Sequence, residues 1–346
     1  MIKKSKSIVS VGVLLLLTLS TLNAEYVVNI KVPKVPEVPK VEAKVPVVNT
    51  IYPNSKSNDE ILKEVMKEEQ WVFSNHVAPV IEEEKVEQTE VIEAGDIDNG
   101  RVAAYLHYKI LSMDDVKSRL QKAGFNIVTT FKVDKKGKVL SVVFTNKEIQ
   151  EAAAKTNRGF ASTLRLSIDT KAGLISISNP VYIMAAFMQK EYNSALAQKS
   201  LKQIRGAFEG LKNSDEIVKF RVLERFKFME GMPQYQDMAV IKKAKNSTLL
   251  AKAHKSKKVV YEQKLSNGST ILGIKLGKRT RKFVKKIGYH NSGLLPYPVL
   301  IENGEAKILD PKYYIAVMYP MLKMSQFMTI STVPGAIGKD IDKIFR

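Results

Sequence analysis

From Tyr105 onward the apolar residues switch between a spacing of two and a spacing of three to four, and each switch marks a new element. The clearest case is Pro298-Val-Leu-Ile-Glu-Asn-Gly-Glu-Ala-Lys-Ile-Leu309, followed by Asp310-Pro311 and an apolar run from Lys312 to Tyr319. Asn303-Gly304 predicts a type I′ hairpin, because both residues tolerate positive φ. Pairing around it places Val299, Ile301, Ala306 and Ile308 on one apolar face. Asp310 is a good helix N-cap, and Pro311 suits the first helical position, where its missing N–H would be unbonded anyway.

Upstream, residues 105–110 read as a strand. Ser112-Met-Asp-Asp115 caps a helix whose stripe is Val116, Leu120 and Ala123 and whose stop is Gly124. The carboxylate pair Asp114-Asp115 belongs to that first turn, where it complements the helix dipole. Residues 128–133 and 139–144 are two strands around Gly137, and Asn146 opens a further helix. Leu164, Leu166 and Ile168 alternate with Arg165 and Ser167, the period of a half-buried strand. Residues 174–178 return, and Asn179-Pro180 starts a helix carrying Ile183, Met184, Phe187 and Met188, predicted to run to Gly210.

A shift of 131 positions superimposes the two halves of this pattern. Val128 falls on Val259, Gly137 on Gly268, Pro180 on Pro311, Tyr182 on Tyr313 and Ala185 on Ala316. The expected fold class is α+β: two tandem repeats, each an antiparallel sheet of hairpins with helices packed on one face, over residues 101–213 and 214–346. Each copy is predicted to run β-α-β-β-α-β-β-α.

The N-terminus changes the picture of where such a protein works. Lys3, Lys4 and Lys6 precede the apolar run 8–22, and Ala24 offers a small residue for cleavage, so residues 1–24 read as an export signal. A retained N-terminal anchor is the alternative. Residues 25–58 repeat Val-Pro at Val32, Val35, Val38 and Val45, which favours an extended spacer. Residues 59–100 form an acidic arm, with a helix expected over 60–73 around Trp71. The placement implied is periplasmic or cell-envelope.

Charge divides the chain. Residues 59–98 hold 13 acids against three lysines (3 − 13 = −10), while residues 101–346 hold 44 Lys and Arg against 19 acids (44 − 19 = +25). The arm can fold back on the body or serve as a solvated tether. The chain has no cysteine, which excludes disulfides, thiolate nucleophiles and cysteine-ligated metals. Its four histidines, His76, His107, His254 and His290, have no metal-ligand spacing, and no cofactor is implied.

Short motifs resemble a known family. Lys122-Ala-Gly-Phe-Asn-Ile-Val128, Ile177-Ser-Asn-Pro180 and Leu294-Leu-Pro-Tyr297 are similar to the pattern of the bacterial domain-of-unknown-function family 302, small α+β domains without an agreed activity. The positions concerned are Ser178, Asn179 and Pro180, and Leu295, Pro296 and Tyr297. The family pattern places cysteine where this chain has Ser178 and Tyr297, so no thiol chemistry carries over.

No catalytic motif is present: no Gly-x-Ser-x-Gly elbow, phosphate loop or His-Glu-x-x-His. The strongest surface signal is the stretch 242–286, with 15 Lys and Arg against Glu262 alone. Within it Lys278, Arg279, Arg281, Lys282, Lys285 and Lys286 are expected on one short helix whose inward side is Phe283, Val284 and Ile287. Such a face attracts polyanions: lipid head groups, lipopolysaccharide or wall polymers, with nucleic acid the weaker candidate in an exported protein. The acidic arm is the competing intramolecular partner. The run Tyr313, Tyr314, Met318, Tyr319, Met321, Met324, Phe327, Met328 is read as core, or else as a groove for an apolar ligand or a second copy, with Pro320 bending it into two helices. The function expected is an exported binding or interaction module. The alternative is a hydrolase or isomerase with a site assembled from dispersed residues.

Overall fold

The hairpin at Asn303-Gly304 forms as its residues dictate: Asn303 has φ 50° and Gly304 φ 77°, closing a two-residue turn between Glu302 and Glu305. Asp310 Oδ1 accepts the Lys312 amide at 2.8 Å and starts the following helix. The structure, a computed structural model, describes residues 92–346. The export signal, the Val-Pro spacer and the helix expected over 60–73 lie outside the described residues.

In chain order the first half comprises β1 (Arg101–Ala103), β2 (Tyr105–Lys109), α1 (Met113–Lys122), β3 (Asn126–Lys132), β4 (Val139–Thr145) and α2 (Lys147–Ala153). A 3₁₀ turn at Gly159–Ser162 leads to β5 (Leu164–Asp169), β6 (Leu174–Ser178), α3 (Pro180–Met188), α4 (Ser194–Ala207) and β7 (Lys212–Asn213). Strand β8 (Ile217–Lys219) pairs back onto β1, and a 3₁₀ segment, Phe220–Arg225, follows. The second half comprises β9 (Ala239–Lys243), α5 (Asn246–Lys255), β10 (Val259–Lys264), β11 (Thr270–Ile274), a 3₁₀ turn Thr280–Phe283 and α6 (Val284–Ile287). It closes with a 3₁₀ turn Ser292–Leu294, β12 (Tyr297–Glu302), β13 (Glu305–Ile308), α7 (Pro311–Met318), α8 (Met324–Met328) and α9 (Val333–Asp342).

The molecule is α+β, with every paired strand antiparallel. Besides the two-stranded β1-β8 pair, one sheet has the order β3-β4-β5-β6-β2-β7 and another β10-β11-β12-β13-β9. Numbering the strands of each half from β2 and from β9, both sheets run second, third, fourth, fifth, first; β7 extends the first at its edge. Gly137 (φ 68°) and Gly268 (φ 80°) sit in the matching turns before β4 and β11. Asn179 and Asp310 cap the matching helices α3 and α7, each followed by proline.

The two halves interlock. The turn Gly159–Ser162 lies on β11 and β12, while the turn Ser292–Leu294 lies on β4 and β5. A Cβ on Gly159 would sit 2.6 Å from Leu300 Cδ1, so this approach depends on glycine. The reciprocal cover explains why β5 is buried on both faces, not half-buried as its alternation predicts: Arg165 is only 6% exposed.

Two helices differ from expectation. The apolar stretch from Pro180 does not run to Gly210; it breaks at Gln189 (φ 57°), and Asn193 caps a new helix by accepting the Leu196 amide at 3.0 Å. The first piece is buried throughout and the second only along one stripe, so the change in burial pattern marks the break. The basic segment is likewise not one helix but a 3₁₀ turn followed by a single α turn. Eight residues with cations crowded at helical spacing are too few and too repulsive to propagate a regular helix.

Candidate functional site

The basic segment keeps its predicted inward side. Phe283, Val284 and Ile287 are buried, and Gly288 ends the turn at φ 110°. Lys278, Arg279, Lys282, Lys285 and Lys286 are exposed, and Arg281 is half-buried. None of the six cations makes an ion pair among the described residues. One acid is close: Asp340 of α9 accepts the Gly277 amide at 2.8 Å at the start of the segment. Lys286 reaches the Thr329 carbonyl at 2.8 Å, which ties the segment to the end of α8.

The acidic arm enters the described structure only at its end. Glu93 and Asp96 flank Arg205 of α4, at 2.9 and 2.8 Å from its guanidinium nitrogens. The Gly95 amide donates to Asn213 Oδ1 at 2.7 Å. This portion docks on the first half, not on the basic segment.

The motif positions converge on a residue that sequence reasoning passed over. Arg165 Nη1 donates to the Pro296 carbonyl at 2.9 Å and to the Gly293 carbonyl at 3.2 Å, and its Nη2 donates to the Tyr261 hydroxyl at 3.1 Å. Its own backbone amide donates to Ser178 Oγ at 2.9 Å. Ser178 and Pro296, 118 positions apart in the chain, are thus joined by one buried arginine. Asn179 donates to the Gly95 and Ala103 carbonyls and caps α3 through Val181. Leu295 is buried beside them, Pro180 opens α3, and the Tyr297 hydroxyl donates to the Leu309 carbonyl at 3.0 Å. These six residues carry hydrogen bonds and core contacts, and none presents a free reactive atom to solvent.

A second polar cluster gathers at the C-terminal end of α7. Tyr105 and Asn291 donate to the Met318 carbonyl at 2.8 and 3.0 Å, and Tyr182 donates to the Val317 carbonyl at 2.8 Å. Asn291 also donates to Glu216, whose other carboxylate oxygen lies 3.7 Å from His290 Nε2. Burial pushes the phenols of Tyr105, Tyr182 and Tyr319 well above their usual range, so they stay protonated; the first two donate to carbonyls of α7 and Tyr319 to the Gly288 carbonyl. Burial lowers the His107 imidazole against the opposing pull of Glu216, which leaves it neutral near pH 7. His107 borders an open groove of about 410 Å³ lined by Tyr108, Lys109, Leu174, Glu209 and Lys212. No hydroxyl or thiol nucleophile lines that groove beyond the Tyr108 phenol, and the cluster reads as a cap for α7.

The aromatic and methionine run divides at Pro320. Tyr313, Tyr314, Met318, Tyr319 and Phe327 are core, whereas Met321, Met324 and Met328 are 55%, 39% and 60% exposed. Those three were the exception that helical spacing could not show, because α8 has only five residues and one inward anchor, Phe327. Among the described residues no group of three or more metal-ligating side chains forms, and no helix is long and apolar enough to cross a membrane.

No protein-family model matches the chain, and neither the curated proteins nor the solved structures contain a match. The resemblance to family 302 is therefore an expectation that rests on the short motifs Lys122–Val128, Ile177–Pro180 and Leu294–Tyr297 alone.

Proposed function

We propose that this is an exported, envelope-located binding module that holds anionic head groups or polymers on the segment 278–286, presented by the second of two copies of one α+β unit. The observation that carries the proposal is the cluster of exposed cations on that segment, none in an ion pair among the described residues. Cations left unpaired on a protein surface repel one another and are relieved by an external polyanion. Arg279 and Arg281 suit phosphate oxygens through their paired donors, and the lysines add charge without geometry. The shared strand order and the matched turn glycines support the duplication, and the basic n-region with residues 8–22 supports export.

Titration of the protein with acidic vesicles, an oligonucleotide and a wall polymer at two salt concentrations tests the reading. Binding that weakens steeply with salt is expected. Absence of binding to all three at low salt refutes it. The polar cluster at the end of α7 favours the enzyme reading less, because Tyr105, Tyr182 and Asn291 already spend their donors on the Met318 and Val317 carbonyls.

A further inference from the structure

We infer that the ligand of the basic segment is a membrane surface rich in acidic phospholipid, and that Met321, Met324 and Met328 enter its interfacial layer. The inference deepens the polyanion reading and rests on it. Four methionines stand among the exposed large apolar residues: Met229, Met321, Met324 and Met328. Three of them lie in or just before α8. Met324 and Met328 occupy one side of α8 at i, i+4, and Met321 lies three residues before the helix begins. Met229 follows Phe228, whose ring stands 5.1 Å from that of Phe327, the buried anchor of α8.

The cations border this apolar patch directly. α6 touches α8, Lys286 Nζ bonds to the carbonyl of Thr329, the residue after Met328, and exposed Lys323 lies between Met321 and Met324. An apolar patch edged by lysine and arginine has the composition of an interfacial anchor: side chains enter the acyl boundary while the cations meet the phosphates. Methionine suits such a surface because its unbranched thioether adapts to an irregular partner. Nucleic acid fits less well, since no aromatic ring is among the large exposed apolar residues of the described part and base stacking has no platform there.

The test is oxidative footprinting of the full chain with peroxide, read by mass spectrometry, in the presence of phosphatidylcholine vesicles with or without phosphatidylglycerol, or of an oligonucleotide. Acidic vesicles are expected to protect Met321, Met324 and Met328 at least about fivefold, and neutral vesicles and the oligonucleotide to leave them reactive. The triple variant Met321→Ser/Met324→Ser/Met328→Ser should lose about tenfold in acidic-vesicle affinity while keeping its oligonucleotide affinity, and the triple leucine variant should restore vesicle binding. Reading the difference between variants cancels any contribution of the apolar run 8–22. Binding of acidic vesicles without protection of the methionines overturns membrane entry and leaves the polyanion reading standing. Binding of the oligonucleotide alone does the same. Failure to bind any polyanion overturns both.

Discussion

The connection between the third and fourth elements of each sheet half is where the two halves part company. In the first half it is α2, a regular helix whose charges are answered: Lys147 lies 3.7 Å from Glu151, and Glu148 lies 2.6 Å from Lys199 of α4. In the second half the same place holds the basic segment, partly 3₁₀, and with no acid paired to its cations among the described residues. Beyond α3 the first half continues into the 14-residue α4, which packs on α3 and α1; beyond α7 the second half continues into the short α8 with its exposed methionines. The sheets agree and the coverings differ. The connection without counter-charge is where the proposed binding surface would sit, on a sheet order that both halves share.

That comparison depends first on the seam that locks the halves together. Replacing Arg165 with methionine removes the donors to the Gly293 and Pro296 carbonyls and to the Tyr261 hydroxyl in a place without access to water. The expected loss is about 3 kcal/mol or more, read by urea unfolding, because buried carbonyls left without partners cost about 1–3 kcal/mol each. A loss below about 1 kcal/mol would mean the seam does not hold the halves. Gly159→Ala, which brings a methyl to 2.6 Å from Leu300 Cδ1, should cost about 1–2 kcal/mol, while Gly293→Ala, with its nearest neighbour at 3.5 Å, should cost less. Equal costs would show that the two crossings are more alike than their geometry.

The smallest expected effect is a pH dependence. His107 titrates lower in the folded state than in the unfolded chain, whose imidazole has a pKa of about 6.5. The unfolded state therefore binds more protons between the two values, and the contribution is present in full above about pH 6.5 and is lost as pH falls toward the folded value. Urea midpoints of the native chain should drop over that window, and His107→Gln should flatten the drop. An unchanged slope in the variant assigns the effect elsewhere.

How much of this was legible depended on how local the cause was. Asn303-Gly304, Asn179-Pro180 and Asp310-Pro311 specify turns and helix starts from two adjacent residues, and all three formed as expected. The inward set Phe283, Val284 and Ile287 was equally plain. The break at Gln189 was hidden because apolar spacing continued across it, although Asn193-Ser194 carried a capping signal. Arg165 was out of reach: alternation with Leu164 and Leu166 placed it toward solvent, and the other half buries it through the Ser292–Leu294 turn, Pro296 and Tyr261. The core reading fails for the three exposed methionines for a related reason, since a spacing pattern does not say whether anything covers a face.

The central claim is that binding resides in the segment 278–286 and not in net charge spread over the body. Two double variants with equal loss of charge decide it: Arg279→Ala/Arg281→Ala in the second half, and Lys147→Ala/Lys155→Ala in the first. Affinity for acidic vesicles at two salt concentrations should fall about tenfold in the former, with a shallower salt slope, and change by less than about twofold in the latter. Equal losses in the two variants, or none in either, would contradict the account.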